Sequence, residues 1–302
     1  MIYTVTFNPA VDYVMQVGTI IPDATNRAMG EKIAFGGKGV NVSRLLKEFG
    51  ADTTALGFAA GFTGKALTDS LENDGVKTDF VFLKSGMTRI NVKLKGAEET
   101  EINAAGPEIL HEDLACFFRK LEMLSDGDWC VLAGSIPRGL SKGIYADIMK
   151  SLRHKDVRFV VDACGELLTE TLEYRPYLIK PNVDELSQIA GRKLCDDDEI
   201  ADLARQLQKD GAQNVLVSMG ANGAILLDSD GKITRAEAYK INAVDTVGAG
   251  DSAVAGFIYG TMCGYDTKRL LNFACACGAA TACKVGIALR EDVENVLNTG
   301  IR

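Results

Sequence analysis

From about residue 107 onward the chain alternates helical patterns with short apolar runs, "DWCVLAGS", "VRFVVDA", "YLIKPN" and "NVLVSMG". Apolar runs of this length, spaced by helix-length segments, are what strands covered on both faces look like, and crossovers join such strands in parallel. A mostly parallel sheet between helices follows. Each run ends in a polar residue, namely Ser135, Asp162, Asn182 and Ser218. Ligands of doubly wound sheets bind beyond the carboxyl ends of the strands, so these polar ends are expected to converge on one cleft.

The first third is built differently. "TRINVKLKG" alternates Ile90, Val92 and Leu94 with Arg89, Asn91, Lys93 and Lys95, and "TEINAAG" returns after the turn "AEE". "DYVMQVG" and "NRAMGEKIAFGG" are two further extended segments. Strict alternation marks strands with one covered face. These segments predict a small antiparallel sheet, with strands in about residues 11–35 and 87–105, that needs the main body or another subunit to cover its apolar side. No Pro-rich linker, repeat or low-complexity tract divides the chain, so the expectation is one domain over residues 1–302 with this sheet growing out of it as a lid.

Charge and cysteine usage narrow the function. A net charge of -8 without a Lys/Arg block argues against a nucleic-acid or anionic-membrane surface, so any cations that bind phosphate must be few and local. The eight cysteines include no CxxC pair, and the two histidines, His111 and His154, sit in charged neighbourhoods, which argues against structural zinc. Cys275, Cys277 and Cys283 in "NFACACGAATACK" read as small packing residues on a buried helix. "MIYTVTFNPAVD" reads as a strand entering a turn without a charged leader, and no apolar run reaches membrane-spanning length; a cytoplasmic enzyme is the expectation.

Two glycine turns carry the chemistry. In "VDTVGAGDSAVAGF", Gly248, Ala249 and Gly250 precede Asp251 and an apolar helical run. A bare backbone at a helix start presents N–H donors and the positive end of the dipole, which is an anion site. A carboxylate there is costly beside an anion unless it removes a proton from a group attacking that anion, which points to phosphoryl transfer with Asp251 as base. The plainer reading is a tight turn followed by a dipole-favoured acid. "FGGKGVNVSRLL" repeats the logic, with Gly36, Gly37 and Gly39 around Lys38 and a helical pattern beginning near Asn41. It is neither a Walker A loop nor GxGxxG, so a dinucleotide fold is not supported.

In "LIKPNVDELSQIAG", Asn182 stands at a helix N-cap position with Glu185 three residues on. That is a capping box, and it is equally a pair able to orient a magnesium ion and its waters against phosphates. "VSMGANGAILL" reads as a hairpin and by itself says nothing of nucleotide. Asp12 and Arg89 are single charged residues that matter only if the lid closes over the cleft.

"GGKGVNVS" and "DTVGAGDS", with "KPNVDE" between them, resemble the two signatures and the magnesium motif of the ribokinase/PfkB carbohydrate kinase family, over essentially the whole chain. The resemblance implies an α/β ribokinase-like fold, a three-layer α/β/α core plus the lid, and an ATP-dependent sugar kinase. "TFNPAVDY", "TRINVKL", "TEINAAGPEI" and "LAGSIPRGL" are most similar to the branch that phosphorylates fructose 1-phosphate at O6, with kinases of tagatose 6-phosphate or fructose 6-phosphate as the alternative.

By resemblance, Asp12, Gly36, Gly37 and Asn41 hold sugar hydroxyls, and Lys38, Arg89 and Ser135 grip the substrate's own phosphate. Arg27 joins them from the same or a partner subunit of a homodimer formed through the lid. Asp251 is the base, with an anion hole on the backbone of Gly248, Ala249 and Gly250. ATP lies along Lys180, Asn182, Ser218, Gly220, Gly223 and Asn272; Asn182 and Glu185 orient Mg2+ through water, and Asp245 is a monovalent-cation residue, K+ being the candidate ion.

Overall fold

A computed structural model describes residues 1–300. Its strands, in chain order, are β1 (Ile2–Thr6), β2 (Ala10–Gln16), β3 (Gly30–Gly36), β4 (Thr53–Ala60), β5 (Lys77–Thr78), β6 (Val81–Leu83), β7 (Arg89–Lys95), β8 (Glu99–Asn103), β9 (Trp129–Ala133), β10 (Arg158–Asp162), β11 (Leu178–Ile179), β12 (Asn214–Ser218), β13 (Ala224–Leu227) and β14 (Ile233–Ala236). The main sheet runs β14-β13-β12-β11-β10-β9-β1-β4-β5, with β6 also paired to β4. From β12 to β5 every pair is parallel, and β13 and β14 close one edge as antiparallel hairpins.

Alternation within buried strands builds two large cores, and a smaller third forms around Ala55, Leu67 and Phe80. Cys130 and Leu132 of β9 face one cluster with Val5, Leu56, Val161 and Val215, while Trp129, Val131 and Ala133 face the other with Ile2, Val160 and Leu216. Helices Lys38–Glu48, Ala249–Met262 and Thr267–Ala282 cover the second side, and His111–Leu121, Ile144–Ser151 and Asp197–Lys209 the first. Strands sandwiched this way have no solvent face, which is why their sequences lack a polar alternate. Of the cysteines expected to pack, Cys277 is buried and Cys275 half-buried, whereas Cys283 caps its helix and is exposed.

The strand order reverses beside β1, which pairs with β4 on one side and β9 on the other. A crevice opens beyond the carboxyl ends of strands at such a switch point. The second sheet, β3-β2-β7-β8, stands over it. The outer pairs, β2–β3 and β7–β8, are antiparallel as expected, while the central pair β2–β7 runs parallel, since β2 and β7 are joined not by a hairpin but through β3 and an excursion into the main sheet by β4, β5 and β6. The hairpin foreseen in "VSMGANGAILL" is β12–β13.

Candidate active site

A cleft of about 1390 Å³ lies between the lid and the carboxyl ends of the main strands. Three of the four polar strand ends, Ser135, Asn182 and Ser218, line it, while Asp162, fully buried at the end of β10, stays out of the lining and reaches it through Lys38 and Lys180. Lys38 and the lid residue Asp12, though distant in sequence, face the same space.

The first glycine turn packs onto the end of β1. A Cβ at Gly37 would lie 2.7 Å from Thr6 Cγ2, and one at Gly39 would lie 2.6 Å from Thr6 Oγ1, so backbone and strand meet at a distance only glycine allows. Thr6 Oγ1 in turn accepts the N–H of Val40 at 3.1 Å. The helix consequently begins at Lys38, three residues before the Asn41 start foreseen from the pattern, and its N-cap is Gly37. Lys38 thus rides on the first helical turn and reaches across the sheet edge to Asp162.

That contact is the electrostatic centre. Asp162 Oδ1 lies 2.9 Å from Lys38 Nζ and 3.4 Å from Lys180 Nζ, while its Oδ2 has no partner. Burial alone would push the Asp162 carboxyl up, but the ammonium groups of Lys180 and Lys38 outweigh it and hold it low. For Lys38, burial works against the charged form, yet Asp162 more than compensates and the ammonium stays protonated. Lys38 is therefore a cation at neutral pH, held beside Lys180 by the carboxylate they share.

Asp251 follows the second glycine turn. Gly248 takes a left-handed φ of 84° as N-cap of Ala249–Met262, and Asp251 lies in the first turn, 6% exposed. First-turn N–H groups such as those of Gly250 and Asp251 have no residue one turn back to accept them. Asn41 Nδ2 donates to Asp251 Oδ2 at 2.8 Å, and a Cβ at Gly250 would lie 3.1 Å from Lys180 Nζ, which places the lysine beside the turn. Burial, with Asp162 adding to it, raises the Asp251 carboxyl to about 6. A buried carboxyl raised toward neutrality, beside helix-start amides and two lysines, has the chemistry a general base needs next to a bound anion.

Asn182 Oδ1 accepts the N–H of Glu185 at 2.8 Å, and Glu185 Oε2 accepts that of Asn182 at 2.9 Å, so the capping box forms. Glu185 Oε1 is left outside the cap, and both residues line the cleft. Among the described residues no three His, Cys, Asp or Glu side chains gather into a metal cage. A carboxylate oxygen outside the cap, on the cleft side, fits a divalent ion held chiefly by water and by a ligand's phosphates.

On the lid, Arg89 lines the cleft with Nε held by Asn8 O at 3.1 Å and Nη1 by Ala104 O at 3.4 Å. Asp12 is flanked by Asn91 Nδ2 at 2.8 Å and Lys93 Nζ at 3.4 Å. Gly36, Gly37, Asn41, Asp245, Gly248 and Gly250 also line the cleft, and Ala249 starts the adjoining helix. Arg27 is exposed in the loop between β2 and β3, and Gly220, Gly223 and Asn272 lie outside the lining. Sequence reasoning noted Asp162 only as a polar strand end and passed over Asn91 and Lys93, whose sole signal was their place on the polar side of an alternating strand.

The pfkB family carbohydrate kinase profile matches residues 5–292. A 1-phosphofructokinase of Borreliella burgdorferi is 38% identical over 298 residues, covering 98% of this chain and 96% of the relative. A D-tagatose-1-phosphate kinase of Bacillus licheniformis is 35% identical, covering 95% and 94%. Among solved structures, phosphofructokinase-2 of Escherichia coli, in complex with substrates and products, superimposes with a TM-score of 0.92 at 26% identity, over 99% of this chain and 98% of that one. With two glycine turns, a buried carboxyl and paired lysines about one cleft, and likeness along its whole length, the chain belongs to the pfkB family of carbohydrate kinases, which use ATP and a divalent metal ion.

Proposed function

We propose that the chain is a 1-phosphofructokinase, transferring the γ-phosphoryl group of ATP to O6 of D-fructose 1-phosphate. The observation that carries the reaction type is Asp251, buried and raised to about 6, joined to Asn41 and adjoining the first-turn amides of its helix. The sugar class and the phosphate at C1 are supported by relatives named for a ketose 1-phosphate at 38% and 35% identity.

In this reading Asp12, Gly36, Gly37 and Asn41 hold hydroxyls, and Lys38, Arg89 and Ser135 grip the C1 phosphate, where arginine's fork matches phosphate geometry. Arg27 completes the grip from the same subunit or from the partner in a lid-to-lid homodimer. Lys180, Asn182, Ser218, Gly220, Gly223 and Asn272 follow the nucleotide. Asp251 accepts the O6 proton as O6 attacks in line, and the amides of Gly248, Ala249 and Gly250 hold the charge that develops. Magnesium, oriented by Asn182 and Glu185, supplies charge neutralisation on the phosphates when bound. Asp245, which lines the cleft and accepts the N–H of Val247 at 3.1 Å, is the residue for a monovalent cation, potassium. A cytoplasmic location accords with these small anionic substrates.

The test is magnesium-dependent ATP turnover with fructose 1-phosphate, tagatose 1-phosphate, fructose 6-phosphate and tagatose 6-phosphate in parallel. A kcat/KM several hundredfold higher for fructose 1-phosphate than for either 6-phosphate is expected. Preference for a 6-phosphate would reverse the sugar in the cleft while leaving Asp251 in its role; no turnover with any would overturn the assignment.

A further inference from the structure

Arg89, Asn91, Lys93 and Lys95 alternate along β7 and all face the cleft. Asn91 is only 7% exposed and lies directly opposite Asp12 in the β2–β7 register. Its Nδ2 donates to Asp12 Oδ1 at 2.8 Å. That contact fixes which way round the amide sits, because the reverse orientation would set two acceptor oxygens against each other. Asn91 Oδ1 is left buried with no hydrogen-bond partner, although it belongs to a side chain lining the cleft. Buried amide oxygens are nearly always satisfied, so an unsatisfied one on a cleft-lining side chain marks the place of a donor that a small side-chain adjustment on ligand entry would let in.

The donor's chemistry follows from the neighbours. Asp12 can only accept, and its other oxygen is near Lys93 Nζ at 3.4 Å, itself 3.8 Å from Glu101. A Cβ at Gly36 would lie 4.0 Å from Asp12 Oδ2 and 3.8 Å from Asn41 Oδ1, so Asp12 faces the glycine turn of the core. An uncharged acceptor beside a neutralised carboxylate suits a hydroxyl and repels a phosphate. Two residues along the strand, about 7 Å away by strand geometry, stands Arg89, assigned above to the substrate's phosphate. In a ketofuranose 1-phosphate whose O6 is the acceptor, the ring hydroxyls away from the anomeric carbon are O3 and O4.

We propose that Asn91 is a specificity-determining residue that reads O3 or O4 of the sugar through Oδ1, while its Nδ2, with Lys93, fixes Asp12 against the same ring. This rests on the substrate being a ketose phosphate. It gives the lid a reading function in addition to a covering one, since the acceptor exists only when β7 pairs with β2.

The experiment is a cycle between Asn91→Ala and the 3-deoxy and 4-deoxy analogues of fructose 1-phosphate, scored by kcat/KM and by calorimetric binding of the sugar without ATP. Asn91→Ala is expected to lower kcat/KM for fructose 1-phosphate about tenfold or more, the scale of a lost buried hydrogen bond, with the KM for ATP within about twofold. One deoxy analogue should lose a similar factor on the wild type and lose no more on the variant. Additive losses with both analogues, or a variant within twofold of wild type, would overturn the role. Where thermal denaturation shows Asn91→Ala unfolded, the same cycle on Asn91→Ser decides. If the wild type turns over no ketose phosphate, the proposed function fails by itself, and the calorimetric cycle still decides the role of Asn91, absence of any sugar-phosphate binding counting against it.

Discussion

Asn41 donates its side-chain amide to Asp251 Oδ2 at 2.8 Å, joining the two glycine turns across 210 residues of sequence. With Oδ2 held, Oδ1 is the oxygen left to take a proton. Asp251→Asn is expected to cut kcat at least roughly a hundredfold, the scale of a positioned general base, while calorimetric affinity for ATP stays within a few-fold. Turnover within tenfold of wild type would remove Asp251 from the chemistry.

The raised carboxyl sets the pH behaviour. Burial raises the Asp251 carboxyl to about 6 in the folded chain, against an ordinary carboxyl near 3.8. The base must be ionised, so kcat/KM should fall as pH drops through about 6. The same shift acts on stability with the opposite sense: between the two values the folded chain binds the extra proton, so this group favours folding toward acid and its ionisation costs stability above 6. Asp251→Asn should therefore melt higher than wild type at about pH 8, with the gap narrowing toward pH 5. A lower melting temperature at the alkaline end would contradict the burial argument.

Asp162 lies between Lys38 and Lys180 with no exposed surface, and Lys180 is itself buried. Removing one partner of a buried charge set leaves the rest uncompensated, at a cost of about 3–5 kcal/mol. Asp162→Asn should lower stability on that scale in a urea titration and also raise the KM for ATP, because the lysines lose their shared anchor. A variant as stable as wild type would show that the cations have other support.

Glu185→Gln retains an oxygen able to accept the N–H of Asn182, so the helix cap survives while the carboxylate charge is lost. The expected result is a several-fold higher magnesium concentration for half-maximal activity, at a melting temperature within a few degrees of wild type. An unchanged magnesium requirement would confine Glu185 to capping.

Arg89 presents its guanidinium to the cleft after two nitrogens are tied to the carbonyls of Asn8 and Ala104. Arg89→Ala is expected to raise the KM for fructose 1-phosphate by tenfold or more, about the loss of one charge-assisted hydrogen bond, with little change in the KM for ATP. Equal effects on both substrates would mean that Arg89 serves to hold Asn8 and Ala104 in place instead.

Much of this architecture was legible without coordinates because it is written in local patterns. The apolar runs ending at Ser135, Asp162, Asn182 and Ser218 announced buried parallel strands and their ligand-facing ends; the "GGKG" and "VGAGD" turns announced bare backbone; Asn182 and Glu185 announced a helix cap that forms as foreseen. Less legible was the start of the helix at Lys38, since packing of Gly37 and Gly39 on Thr6, a contact between separate segments, decides it. Lys38 and Asp162 were each visible, yet nothing in either neighbourhood says that they pair.

The sequence by itself determined the strands that end at Ser135, Asp162, Asn182 and Ser218 and those of the second sheet, where the chain turns on glycine, and that Asp251 stands at a helix start, because these depend on periodicity and backbone freedom within a few residues; it did not mark β4, β5, β6 or β14. Only the tertiary structure decided that Asp162 neutralises Lys38 and Lys180, that Asn41 holds Asp251, and that β7 lies parallel to β2 with Asn91 facing Asp12. Those pairings join segments tens to hundreds of residues apart, and their strength comes from burial, which shields charges and leaves an oxygen without water only after the layers have packed.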